Sequence, residues 1–67
     1  MKRRNLPRSA YENIINEWIF SERDRRIISR RLFDAITYEA LAEEFGLSVS
    51  QVKRIIYKTE AEIIRHI

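Results

Sequence analysis

Apolar positions along the chain fall into four groups at helical spacing, separated by short polar joints. Tyr11, Ile14, Ile15, Trp18 and Ile19 form one stripe and predict a first helix from about Ala10 to Phe20. Ile27, Ile28, Leu32 and Phe33 predict a second over about Glu22 to Asp34. A short third helix, about Tyr38 to Phe45, stops at Gly46, the residue best suited to a left-handed helix end. Val52, Ile55, Ile56, Ile63 and Ile64 predict a fourth, from about Val49 to near the last residue. The chain shows no strand-like alternation, no repeat and no low-complexity segment. The expected fold is all-α: a small four-helix domain.

The joints carry helix-start signals. Ser9-Ala-Tyr-Glu12, Ser21-Glu-Arg-Asp24 and Ser48-Val-Ser-Gln51 each match a capping box, in which the hydroxyl takes the N3 amide and the N3 side chain reaches back. Thr37 supplies a fourth N-cap, with Glu39 near the positive end of its helix. Pro7 stands just before the first box, so residues 1–8 read as a flexible basic arm and residues 9–67 as one domain.

Within that domain, residues 37–58 place small and apolar side chains where two helices must cross closely. Ala42 and Gly46 are the restrictive positions: bulk at Ala42 would push the helices apart, and Gly46 turns the chain with φ > 0 at little cost. Leu41, Phe45, Leu47, Val52 and Ile55 fall where both helices turn inward, and Thr37 and Ser48 cap the two starts. Ser50, Gln51, Lys53, Arg54, Tyr57 and Lys58 are left on the outside of the second helix. A clamped, capped helix with a basic outer face suits a helix-turn-helix that enters a DNA groove. The plainer alternative is a generic α-hairpin with small residues at its contact.

Residues 22–64, ERDRRIISRRLFDAITYEALAEEFGLSVSQVKRIIYKTEAEII, resemble region 4 of bacterial sigma factors. The resemblance is carried by the opening ERDRR, by Thr37-Tyr-Glu-Ala-Leu-Ala before the turn, by Phe45-Gly-Leu-Ser at it, and by Val52-Lys-Arg after it. It implies a promoter-reading helix-turn-helix and a helix-two region that approaches RNA polymerase. Short proteins of this type are also similar to small regulators carried by phages and mobile elements. Arg30 stands where the family usually has leucine, and Val49 and Ser50 where many members carry Arg and Glu that contact bases. The family's usual promoter sequence therefore does not transfer. A chain of 67 residues, with nothing like the region that melts the −10 element, is expected to read DNA without opening it.

Composition narrows the chemistry further. With 45% hydrophobic and 34% charged residues and one Gly and one Pro, the chain reads as an ordinary helical domain. The absence of cysteine excludes disulfides and thiolate metal sites. The single histidine, His66, builds neither a metal site nor a triad and reads as a solvated last-turn residue. Glu43 and Glu44 are adjacent and point apart on a helix, so they are not a catalytic pair. No enzyme and no cofactor are expected. No apolar run approaches the roughly 18 residues of a membrane span, so no membrane partner is expected and the location should be cytoplasmic.

Net charge is only +3, but it is unevenly placed. Lys2, Arg3, Arg4 and Arg8 form one basic block; Arg23, Arg25, Arg26, Arg30 and Arg31 form a second, diluted by Glu22, Asp24 and Asp34. Glu39, Glu43 and Glu44 precede Lys53, Arg54 and Lys58. Double-stranded DNA is the partner these features suit, with RNA polymerase and a second copy of the chain as further candidates. Gln51 can pair bidentately with adenine and Arg54 with guanine, Ser50 can bond a base or a phosphate, and Val49 can meet a thymine methyl. Lys53, Tyr57 and Lys58 are assigned to phosphates. Ser48 and Gln51 each have a second candidate role in the cap. Lys2, Arg3 and Arg4 are either a minor-groove arm or a solvated tail adding general attraction. The helix-two arginines are assigned to exposed ion pairs, with backbone contact as the alternative. Tyr11 and Trp18 are assigned to the core.

Overall fold

The computed structural model describes residues 6–67, which form four helices: α1 Arg8–Trp18, α2 Glu22–Asp34, α3 Tyr38–Phe45 and α4 Val49–Arg65. There is no strand among the described residues. α4 packs against each of the other three, so the helix with the basic outer face is also the spine of the domain.

The core is aliphatic. It joins Ile15 and Ile19, Ile27 and Ile28 of α2, Leu41 and Ala42 of α3, and Val52, Ile55, Ile56 and Ile63 of α4. Isoleucine dominates, and a β-branched side chain has one strongly preferred rotamer in a helix, which favours a single packing. Ile27, Ile28, Leu41, Val52 and Ile56 are fully buried, each contributing about 1.5–3 kcal/mol. Thr59 is buried among them without penalty, because its hydroxyl donates to the Ile55 and Ile56 carbonyls at 2.8 and 3.1 Å.

Three of the four starts follow from their caps. Ser21, Thr37 and Ser48 lie in extended backbone, and their hydroxyl oxygens accept from the amides of Asp24, Ala40 and Gln51. The first start differs from expectation. α1 begins at Arg8 after Pro7, whose carbonyl accepts from the Ala10 amide at 3.0 Å, and Ser9 caps nothing. Proline's fixed φ of −67° is already suited to a helix entry. Glu12, expected to close the Ser9 box, instead pairs with Arg8 one turn back at 3.0 Å. The expected boundary after residue 8 therefore falls inside α1; Lys2, Arg3 and Arg4 lie outside the described residues. α1 also ends earlier, at Trp18, and Ile19 reaches the core from extended backbone.

The second box is only half formed. Asp24 receives no cap bond from the Ser21 amide, and its carboxylate turns to Arg23 and Lys58. Trp18 is not a core residue: it is 39% exposed and stacks on His66, with ring centroids 3.9 Å apart and planes 6° from parallel. His66, expected to be solvated, is half-buried there and its Nε2 lies 3.1 Å from Glu62 Oε2. Ile64 is also turned outward, at 70% exposure, on the same arc of α4 as Tyr57 and Ala61.

α2 ends at Ala35, a non-glycine residue in the left-handed region, φ 55° and ψ 38°. The Cβ there costs about 1–2 kcal/mol, part of which glycine's larger unfolded-state entropy would offset. Ala35→Gly should therefore stabilise the domain by about 0.5–1 kcal/mol. Thermal unfolding followed by circular dichroism checks it. The expected rise is roughly 2–8 °C for a domain of this size; a fall would show that the strain is not relieved.

Candidate nucleic-acid interface

The turn between α3 and α4 is built from local bonds. Gly46 takes φ 67° and ψ 36°, and its amide and the Leu47 amide both donate to the Ala42 carbonyl, Leu47 at 2.9 Å. The Leu47 bond is the 6→1 bond of a Schellman turn and the Gly46 bond the 5→1 bond of the simpler αL motif, and the two share one carbonyl of the helix end. A Cβ added at Gly46 would meet nothing within 4 Å, so the restriction there is backbone angle and not space. Ala42, in contrast, is 7% exposed and belongs to the core. Phe45, Leu47 and Val49 pack against that core while remaining half-buried.

Three residues on, α4 starts with a complete capping box. Ser48 Oγ accepts from the Gln51 amide at 3.1 Å, and Gln51 Oε1 accepts from the Ser48 amide at 2.9 Å. The box fixes the first turn of α4 and with it the direction of the following side chains. It also holds Gln51, so a bidentate approach to adenine would have to share or displace its cap bond. Val49 is similarly divided, since part of its surface faces the core.

Beyond the box, Ser50, Lys53, Arg54, Tyr57 and Lys58 are all exposed, opposite the buried Val52, Ile55 and Ile56. Among the described residues, Arg54 and Lys53 have no carboxylate within 4.0 Å. Lys58 does: its Nζ lies 3.4 Å from Asp24 Oδ2. Lys53 and Lys58, five residues apart, stand on opposite flanks of the exposed arc.

Each flank gathers a cation from α2 that the sequence did not single out. On one side, the Arg31 guanidinium lies 4.5 Å and the Lys53 ammonium 5.9 Å from the centre of the Tyr38 ring. Arg31 is steadied by donating to the Ile36 carbonyl at 2.9 Å. On the other side, Arg23 Nε reaches Asp24 Oδ1 at 3.3 Å, beside Lys58. Spacing alone does not separate Arg31 from Arg30, because Asp34 lies three residues from one and four from the other, and only the structure shows that Asp34 pairs with Arg30.

The remaining arginines of the second block are engaged away from α4. Arg30 bridges α2 and α3, donating to Glu44 at 2.9 Å and to Asp34 at 3.2 Å. The hydrogen bond to Glu44, and then that carboxylate's charge, raise the Arg30 guanidinium above its ordinary pKa. Arg26 lies over Phe45, Arg8 over Phe33, and Arg25 donates to the Ile19 carbonyl. Arg30 is thus an interhelix strut. Of the ion pairs expected for the α2 arginines, those of Arg23 and Arg30 form, whereas Arg25 and Arg31 donate to carbonyls and Arg26 lies over a ring because no carboxylate is within reach among the described residues.

Among the described residues no cluster of three His, Asp or Glu side chains is placed to hold a metal ion, and no helix is long and apolar enough to cross a membrane. No curated protein and no solved structure matches the chain. The family model described as Sigma-70, region 4 matches residues 20–63, well over half of it and spanning α2, α3 and most of α4. That family generally engages DNA and RNA polymerase. The chain belongs to the sigma-70 region 4 family, whose members are non-enzymatic helix-turn-helix modules that bind DNA in transcription.

Proposed function

We propose that this chain is a sequence-specific double-stranded DNA-binding regulator of transcription that lays the first half of α4 in a major groove. The observation that carries the reading is the exposed Ser50–Arg54 surface, fixed by a complete capping box and clamped from behind by α3. Arg54 takes guanine, Ser50 a base edge or a phosphate, and Val49 a thymine methyl with its outward surface. Gln51 divides between cap and adenine, and Ser48 between cap and phosphate. Lys53, Tyr57 and Lys58 face the backbone, with Arg31 and Arg23 extending the two flanks. Lys2, Arg3 and Arg4 add general attraction as a basic arm ahead of the domain. On the strength of the sequence resemblance, the same reading takes the chain as a small sigma-like regulator of the kind phages and mobile elements carry, working in a bacterial cytoplasm.

About 4–6 phosphate contacts give an expected log–log salt slope of about −4 to −5 for duplex binding. Fluorescence anisotropy over a salt series measures it; absence of duplex binding at low salt, or binding indifferent to salt, would sink the reading. A docking module that scarcely touches DNA is the competing class, motivated by the apolar stripe of α1 and the acidic face of α3. One of its motivations weakens, because the α1 stripe turns Ile15 and Ile19 into the core and packs Tyr11 and Ile14 against it. Glu39 and Glu43 of α3 stay exposed and keep the other motivation alive. A polymerase retained after nuclease treatment would favour docking.

A further inference from the structure

Asp24 is the one buried charged residue among the described residues, at 4% exposure. It sits in the first turn of α2, where its amide donates to Ser21 Oγ and the helix end favours a carboxylate. An exposed acid would serve that local role equally well. Its burial places it against α4, where Oδ2 meets Lys58 Nζ at 3.4 Å while Oδ1 accepts from Arg23. Lys58 and Arg23 remain 70% and 53% exposed, so a buried anion holds two cations whose charged ends emerge on one flank of the DNA-facing surface.

We propose that Asp24 is an affinity-limiting residue of the DNA interface: it keeps Lys58 as its own counterion, so that this cation adds little to the salt-dependent attraction for duplex DNA. The proposal rests on the DNA-binding reading above. A phosphate oxygen bonded to Lys58 would stand about 6 Å from the Asp24 carboxylate, with protein behind and little solvent between. Two anions at that separation repel, and burial of one of them weakens screening by salt. Holding Lys58 in one rotamer would help phosphate binding. That gain is small beside the repulsion, because the 70% exposed, flexible stem lets Lys58 reach a phosphate without being held by Asp24. Lys53 and Arg54 carry no such restraint, so the attraction is concentrated at the end of α4 that would meet bases.

The test is anisotropy with a labelled random-sequence duplex of about 20 base pairs over a salt series. Asp24→Asn keeps the shape and removes the charge. It should bind about three- to tenfold more tightly than wild type at low salt, with a log–log slope steeper by about 0.9. Asp24→Glu, which keeps the charge, should stay within about twofold of wild type, and Lys58→Gln in the Asp24→Asn background should abolish the gain. A merely structural Asp24 would instead show a lower unfolding temperature with slope and affinity unchanged or weakened. If Asp24→Asn is too unstable to measure, the same comparison is made in the Ala35→Gly background. A wild type that binds duplex while folded Asp24→Asn binds no tighter overturns this proposal alone. A wild type that binds no duplex overturns the DNA reading and this proposal with it.

Discussion

Replacing Lys53 and Arg54 together with glutamine should weaken duplex binding by roughly 100-fold, with little change in the unfolding temperature of the free protein. Both side chains are exposed and neither has a carboxylate partner among the described residues. Surface substitutions of that kind usually change stability by no more than about 0.5 kcal/mol. Lys53 gives up only a distant approach to the Tyr38 ring, at 5.9 Å. In the complex the losses are larger. A bidentate arginine–guanine pair is worth about 1–3 kcal/mol of discrimination, and each phosphate cation removed flattens the log–log salt slope by about 0.9. Affinity and slope should therefore fall together, while helicity and the melting curve hold. A loss below about threefold in a folded protein would mean that the first half of α4 is not the reading surface, whatever else the domain binds.

The parts of this fold that were legible in the sequence are those decided within one helical turn. α2, α3 and the start of α4 fall where the polar joints place them, because Ser21, Thr37 and Ser48 each close a bond to an amide three residues on. The Gly46 turn is likewise local: an open left-handed position followed by a cap. The first helix shows how two local signals compete. Ser9 and Glu12 match a capping box, but Pro7 is already set for the entry and Glu12 finds Arg8 one turn back. A four-residue match cannot say which pairing wins. Trp18, expected in the core, is exposed for a related reason: periodicity marks an apolar stripe, but not which of its members the other helices cover.

The candidate interface was legible on α4 and illegible beside it. Exposure of Ser50, Lys53, Arg54, Tyr57 and Lys58 follows once Val52, Ile55 and Ile56 are placed inward, which is a single-helix argument. Whether a cation on that face is already spoken for depends on another helix. Lys58 meets Asp24 of α2, Lys53 shares Tyr38 with Arg31, and Arg30 reaches Glu44 fourteen positions away. Sequence alone counts such charges as equal, although one is partnered by a buried acid and another is open to solvent. The net charge of +3 conceals that difference, and the difference decides which cations can serve DNA.

Ile56→Ala should produce the opposite pattern from the Lys53 and Arg54 pair. Ile56 is fully buried on the inner face of α4, the helix that touches all three others. Truncating such a side chain costs about 2–5 kcal/mol in lost burial and residual cavity. A domain of this size has in total only about 3–10 kcal/mol, so the variant should be marginal at 25 °C and melt at least roughly 10 °C lower. Its reading residues are untouched, and the folded fraction should bind as wild type does. Duplex at about 100 times Kd then returns roughly 2.7 kcal/mol, because DNA binds the folded chain and draws the equilibrium toward it. The melting temperature of Ile56→Ala should rise on adding duplex, whereas the Lys53 and Arg54 variant should keep its melting temperature and show little rise. Melting curves with and without duplex for the three proteins would separate the two effects. If Ile56→Ala melts within about 3 °C of wild type, the core is not cooperative through α4. If it melts low and duplex raises only the wild type, the reading face is not an independent surface on a rigid helix but depends on the packing beneath it.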